Sequence, residues 1–287
     1  MHKHQIQKAL VIPQKIHYFF GLDQGFNKKP FSLYHYLNIK SAKLRNPSYE
    51  IKVHYKYDPE NEYFDLLDSF CTKVKLNELP EELAGKRIEH TEHICDYLRL
   101  KTLYKEGGIY LDTDVVCVKS FDNLLGHQAA MAEEYGTLLA CHPDFVQRVI
   151  ETRSRTGEEE ELIGLCNAAI LSRAGNEFIK TWINEYHNNY NTIWNWTCIL
   201  RPYEIAGELP THVTKLNRNT FVKYSWTPSG FENLFKKSAN IDDCYGLHLW
   251  ASINYKLLEL YNDPNDEIWK TDCTITNIYC KLLEETI

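Results

Sequence analysis

The chain has 287 residues, 44% apolar and 25% charged, with 32 Lys and Arg against 39 Asp and Glu and a formal net charge of -7. This composition excludes intrinsic disorder, and it excludes a nonspecific nucleic-acid binder, which needs a basic surplus to neutralise phosphates. A chain of this length can bury roughly 75% of its unfolded surface without help from disulfides or metals, so it could be one large domain or two small ones; with no internal repeat or low-complexity linker, one continuous domain over 1–287 is the simplest partition. No run reaches the roughly 20 apolar residues of a membrane-spanning helix, and Ala9-Leu10-Val11-Ile12 is too short for a secretory core, so a cytoplasmic protein is expected. Nine cysteines without a C-x-x-C pair are expected to be reduced thiols, and the sequon Asn195-Trp196-Thr197 carries no meaning without a secretory route.

Lys15-Ile16-His17-Tyr18-Phe19-Phe20 predicts a buried strand stopped by Gly21. A helix should follow, with Pro30 in its first turn, Leu33, Tyr36, Leu37, Lys40 and Leu44 at helical spacing, and Asn46-Pro47 ending it. Tyr49, Ile51, Val53, Tyr55 and Tyr57 alternate with polar residues as a half-buried strand does. A second helix carrying Phe64, Leu67 and Phe70 leads to a strand at Val74-Lys75-Leu76. Strand, helix, strand, helix and strand open an α/β fold, in which helical crossovers make the sheet mostly parallel and ligands gather at the strands' carboxyl ends.

Between Thr91 and Glu106 a helix is predicted to lay Ile94, Tyr97, Leu98, Leu100 and Tyr104 on the sheet, with Asp96 and Arg99 on the opposite flank. Gly107-Gly108 caps it in the left-handed conformation. A strand then runs from Ile109-Tyr110-Leu111 to Val115-Val116-Cys117-Val118, with Asp112 and Asp114 inside it on one face, Cα atoms about 6.6 Å apart. Two such carboxylates repel unless a cation or hydroxyl donors lie between them, and Mg2+ or Mn2+ favours these oxygens and completes its shell with nucleotide phosphates. Fourteen aspartates produce roughly 0.7 D-x-D by chance. The whole pattern G-G-x-Y-x-D-x-D is a chance event of order one in ten thousand, which favours a site over a solvated strand end beside a surface ion pair. Farther on, Glu158-Glu159-Glu160-Glu161 reads as a solvated loop, and a helix beginning near Asn176 buries Phe178, Trp182 and Tyr186.

The runs His93-Ile94-Cys95-Asp96-Tyr97-Leu98-Arg99 and Leu103-Tyr104-Lys105-Glu106-Gly107-Gly108-Ile109-Tyr110-Leu111-Asp112-Thr113-Asp114 resemble the DXD-containing sugar-binding region of glycosyltransferase family 32. The opening Ile12-Pro13-Gln14-Lys15-Ile16-His17 with its following aromatics resembles that family's first strand, and the site is similar to that of the large clostridial glucosylating toxins. The resemblance implies a GT-A fold, a Rossmann-like, mostly parallel central sheet flanked by helices, with residues to about 125 binding a nucleotide-sugar and 126–287 serving the acceptor. It implies transfer of a hexose to an acceptor hydroxyl in glycan or polysaccharide synthesis, with retention, assisted by Mn2+ or Mg2+. A UDP-sugar is favoured over a GDP-sugar, although the residues leave the base open. By the same resemblance Asp114 ligates the metal, with Asp112 at the ribose, the donor sugar and the metal, while Asp96 and Arg99 grip sugar hydroxyls and phosphate and Tyr110 lines the donor pocket. Tyr18 and Phe19 either stack on the base or belong to the core. Cys166-Asn167-Ala168-Ala169-Ile170-Leu171 resembles the family's N-x-x strand, with Asn167 at the donor or acceptor edge or in a structural hydrogen bond. Leu200-Arg201-Pro202 departs from the family's T-G-P by its arginine. Gly246-Leu247-His248-Leu249-Trp250-Ala251-Ser252 resembles the family's H-x-W…S segment, with Ile253 where a tryptophan is expected, and His248 is a third metal ligand or a core histidine. The rival readings are a metal-dependent phosphohydrolase and a non-catalytic binder of glycans or nucleotide-sugars.

Overall fold

A computed structural model describes residues 11–26, 29–138, 141–153 and 160–287. In chain order its principal elements are β1 (Lys15–Phe20), α1 (Leu33–Arg45), β2 (Glu50–Tyr55), β3 (Cys71–Lys75), α2 (Thr91–Glu106), β4 (Gly108–Leu111) and β5 (Val115–Cys117). Then come β6 (Ala129–Gly136), β7 (Glu161–Ser172), α3 (Glu177–Asn188), β8 (Thr214–Leu216), β9 (Gly246–His248), α4 (Ala251–Leu258) and α5 (Thr274–Glu284). They form an α/β fold of sheet strands flanked by helices. The chain alternates between two compact units. One holds the chain up to Lys15, Glu78–Tyr110 and Asp122–Arg218; the other holds Ile16–Asn77, Leu111–Phe121 and Asn219–Ile287.

In the first unit the strand order is β8-β6-β7-β4. β8 and β6 are parallel, whereas β6 and β7 form a long antiparallel pair with register shifts between Met131 and Glu133 and between Glu134 and Tyr135. β7 is an almost continuous apolar run and is buried along nearly its whole length, as a strand covered on both faces must be. Glu158 and Glu159 lie outside the described residues; Glu160 pairs with Arg218 at 2.5 Å and Glu161 is buried at the start of β7, so the acidic run does not end as a solvated loop. α3 begins where Asn176 caps it, its Oδ1 accepting from the N–H of Phe178 at 2.8 Å, and it buries Phe178, Trp182 and Tyr186.

α2 has the predicted bounds, but of the predicted inward residues only Leu100 is buried, and the polar flank goes inward with it. Its buried residues are His93, Asp96, Arg99, Leu100 and Leu103, while Tyr104 is 36% exposed. The polar flank is buried because Asp96 and Arg99 satisfy each other and their surroundings, as described below. Gly107 closes the helix at φ 64 and ψ -173, outside the left-handed helical basin and in a region only glycine occupies readily. A Cβ there would stand 2.7 Å from the Ala174 nitrogen and 2.9 Å from Pro13 Cδ.

In the second unit β1-β2-β3 are neighbours, β2 and β3 parallel in the register Val53 to Lys73. α1 starts at Leu33, after Ser32 as N-cap, so Pro30 precedes the helix instead of occupying its first turn. The predicted helix around Phe64 is one α turn, Glu62–Asp65, continued as the 3-10 turn Leu66–Ser69; Phe64 and Leu67 are buried and Phe70 is partly exposed. Of α1, Tyr34, His35, Leu37, Asn38, Ile39, Lys40, Ser41 and Ala42 are all buried, so its inward surface includes polar side chains. Ser41 and the C-cap residue Asn46 serve backbone: the Cys117 N–H donates to Ser41 Oγ at 2.7 Å and the Phe121 N–H to Asn46 Oδ1 at 2.8 Å. No disulfide joins any of the nine cysteines. No helix among the described residues is long and apolar enough to cross a membrane.

Candidate functional site

Asp112 and Asp114 do not lie within a pleated strand. β4 ends at Leu111, and Asp112-Thr113-Asp114 forms a turn closed by the Val115 N–H donating to the Asp112 carbonyl at 3.0 Å. The two carboxylates converge through this turn and not through the period of a strand. β5 then pairs antiparallel with β9, placing His248 opposite Val115 and Leu247 opposite Val116. The register sets His248 Nε2 3.2 Å from Asp114 Oδ2, and the Leu249 N–H donates to the Asp114 carbonyl at 2.9 Å.

Trp250 follows in the left-handed region at φ 55, held by its indole N–H on the Tyr224 carbonyl at 2.8 Å and by a tilted contact of 4.0 Å with the His248 ring. The reversal aims the first N–H of α4, that of Ala251, at Asp114 Oδ2, 2.7 Å away. Asp114 therefore meets the positive end of a helix as well as a histidine. Burial works to raise its pKa, but His248, the Ala251 N–H and His35 outweigh it and hold the carboxyl below the usual carboxylate value. His35, buried beside it, accepts the Ser32 N–H at Nδ1 over 3.0 Å, and burial pushes its pKa down to about 3 against the pull of Asp114.

One potential ligand atom each from Asp112, Asp114 and His248 lies within 4.8 Å of the others. Two carboxylates and an imidazole make a mixed oxygen and nitrogen set that could hold a divalent metal ion. Asp112 is half-buried and Asp114 buried.

In the first unit, Asp96, Arg99, Tyr110 and Asn167 assemble into a second polar group. Asp96 and Arg99 sit one turn apart on α2, each only 4% exposed, with Arg99 Nη2 3.1 Å from Asp96 Oδ1. Asn167, in the middle of β7, donates from Nδ2 to Asp96 Oδ1 at 2.7 Å, and its carbonyl accepts from Arg99 Nη1 at 2.8 Å. The guanidinium lies 4.2 Å from the centre of the buried Tyr110 ring, whose hydroxyl is 3.5 Å from Cys95 Sγ. Arg99 is thus oriented by a carboxylate, a carbonyl and an aromatic face at once.

In the second unit the Tyr18 ring is fully enclosed and Phe19 stacks on His54 at 4.6 Å, so both are core aromatics in this structure. Arg201 of Leu200-Arg201-Pro202 begins the helix Arg201–Glu208 and is engaged by Glu185, at 3.0 Å, and by Glu204. Sequence reasoning missed His35, Asn38 and Ser41, whose signal was a polar series at helical spacing inside an otherwise buried helix.

An α/β fold, a glycine-capped helix running into G-G-x-Y-x-D-x-D, and an Asp-Asp-His cluster define a GT-A-like glycosyltransferase fold with a DXD-type sugar-binding region. Residues 34–131 match the family described as "Glycosyltransferase sugar-binding region containing DXD motif". The chain is 30% identical over 257 residues to "Glucan organizing enzyme 1" of Cryptococcus neoformans var. grubii, an alignment covering 86% of this chain and 64% of that protein. The chain thus spans less than two thirds of the length of this relative. Among solved structures, galactosyltransferase LgtC in complex with donor and acceptor sugar analogs aligns at 16% identity over 95% of this chain and 97% of its own, with a TM-score of 0.48. The apo glycosyltransferase GlyE of Streptococcus pneumoniae TIGR4 aligns at 10% identity over 96% and 61%, also with a TM-score of 0.48.

Proposed function

We propose that the chain is a metal-dependent hexosyltransferase that moves a sugar from a nucleotide diphosphate donor, a UDP-sugar in preference to a GDP-sugar, to an acceptor hydroxyl with retention. The observation that carries this reading is the convergence, within 4.8 Å, of Asp112 and Asp114 of the matched DXD region with His248 from beyond it. These three residues would hold the divalent ion, whose charge would offset that accumulating on the departing diphosphate. His248 would serve through Nε2, the atom now facing Asp114, while the Ala251 N–H keeps Asp114 oriented. Asp96 would accept paired sugar hydroxyls, and Arg99, forked and stacked on Tyr110, would donate to sugar or phosphate oxygens. Asn167 would hold Asp96 in place. Tyr18 and Phe19 would support the nucleotide side from the core.

The test is a panel of nucleotide-sugars assayed for Mn2+-dependent donor hydrolysis and for ligand-dependent thermal stabilisation. Asp112→Asn and Asp114→Asn should each lower Mn2+-dependent turnover by at least about a hundredfold, a loss of the order expected when a charge-stabilising contact goes. Asp112→Asn is the cleaner variant, because Asp114 also anchors α4. Wild-type turnover in either variant refutes the assignment, and turnover of sugar-free phosphoesters in its place would favour a phosphohydrolase.

A further inference from the structure

The D-T-D turn is held from behind by a chain of two buried side chains. Asn38 of α1 donates from Nδ2 to the carbonyl of Thr113, the central residue of the turn, at 3.0 Å. The hydroxyl of Tyr279 on α5 donates to Asn38 Oδ1 at 3.0 Å. Both side chains are 0% exposed. The orientation of the amide follows from chemistry: a carbonyl can only accept, so Nδ2 must face Thr113, and Oδ1 is left for a donor, which the neutral phenol supplies. One turn along α1, Ser41 donates to the Asn38 carbonyl at 2.5 Å and accepts the Cys117 N–H at 2.7 Å, so the strand after the turn is referenced to the same helix. Tyr279 is fixed in turn by an edge-on contact of 4.9 Å with Tyr261. A buried asparagine in a helix interior is unfavourable unless its bonds are met, and here both go to placing the segment between the two aspartates.

We propose that Asn38 and Tyr279 are positioning residues that set the D-T-D turn and thereby the ion affinity of the Asp112–Asp114–His248 cluster. The inference rests on the metal reading above. Neither residue is among the three potential ligands; each acts through the Thr113 carbonyl, which lies in the peptide plane leading to Asp114, while Asp112 is held across the same turn by the Val115 N–H.

The experiment compares the full chain with Asn38→Leu, Tyr279→Phe and, as a control, Tyr261→Phe. The control removes a buried hydroxyl bond of similar length, to Thr276 at 2.8 Å, that does not lead to the turn. Two readouts are taken well below the unfolding temperature: Mn2+ affinity by calorimetry without nucleotide, and amide hydrogen exchange at Val115, whose N–H closes the turn on Asp112. Asn38→Leu and Tyr279→Phe should weaken Mn2+ binding by about 10- to 100-fold, the range for outer partners of metal ligands, and speed exchange at Val115. Tyr261→Phe should lower the melting temperature and leave both readouts unchanged. Should Asn38→Leu not fold, Tyr279→Phe, which removes one oxygen atom, decides the matter. Wild-type affinity and exchange in Tyr279→Phe overturn the proposal, as does an equal loss in Tyr261→Phe, which would mark general loosening. Failure of the wild-type chain to take up Mn2+ overturns the metal reading instead, while exchange at Val115 still decides whether these residues set the turn.

Discussion

Asp96 shows how much a single buried carboxylate demands of its neighbours. It is met by Arg99 at 3.1 Å and by the Asn167 amide at 2.7 Å, and each of those is in turn tied to the other through the Asn167 carbonyl. Replacing the amide by a second carboxylate should expose the balance. In Asn167→Asp, two carboxyl groups would share one buried site, so one must keep its proton in the folded chain and its folded pKa rises above the unfolded value. The unfolded chain releases that proton near pH 4, so the variant loses stability relative to wild type as pH rises from about 4 toward 8. Thermal unfolding at pH 4.5 and pH 8 checks this: the deficit should be larger at pH 8, and a pH-independent deficit would show that charge is not the cause. The residue types at Asp96, Arg99, Asp112 and Asp114 were legible in sequence because their spacing is local. His35, Asn38 and Ser41 were not, since buried polar residues on a helix look like a solvated flank until their partners, Ser32 backbone, Thr113 and Cys117, are brought near.

At the scale of elements, the junction from α2 to β4 turns on Gly107. Its φ of 64 with ψ of -173, and the Ala174 nitrogen 2.7 Å from where a Cβ would stand, leave no room for a side chain. Gly107→Ala should cost about 1–3 kcal/mol for the backbone alone, with the collision added, and chemical denaturation should show a lower midpoint with an unchanged slope. The bounds of β1 and α2 could be read almost to the residue, because glycines, caps and an apolar run mark them. The inward face of α2 could not. Periodicity counts apolar side chains, whereas this helix buries a satisfied ion pair and leaves Ile94, Tyr97 and Leu98 partly exposed. The D-T-D segment escaped for a related reason. Its flanking residues favour a strand, and only the pairing of β5 with β9 shows that the chain turns between Leu111 and Val115.

Across the whole molecule, each compact unit buries a histidine in neutral form. Burial lowers His35 to about 3 in one unit, and burial with His90 lowers His93 to about 4 in the other. Unfolded, both would take a proton near pH 6.5, so the unfolded state binds more protons between pH 6.5 and about 4. Stability should therefore be fully present above pH 6.5 and fall on acidification by about 1 kcal/mol per pH unit for each histidine. Denaturant unfolding between pH 7.5 and 4.5 measures the slope, and His93→Gln should remove part of it. An unchanged stability across that range would show that neither imidazole stays neutral.

What the sequence by itself determined was whatever is written over a few consecutive residues: the α/β order, the glycine-closed helix and the D-x-D that follows it. Tertiary structure alone decided what depends on residues far apart in the chain: that His248 stands 3.2 Å from Asp114, that Asn167 holds Asp96, and that Asn38 with Tyr279 backs the turn. The reason is range. Backbone conformation and side-chain period are set by neighbours within a helical turn, whereas the donors and acceptors that make a buried charge tolerable come from wherever the fold brings them.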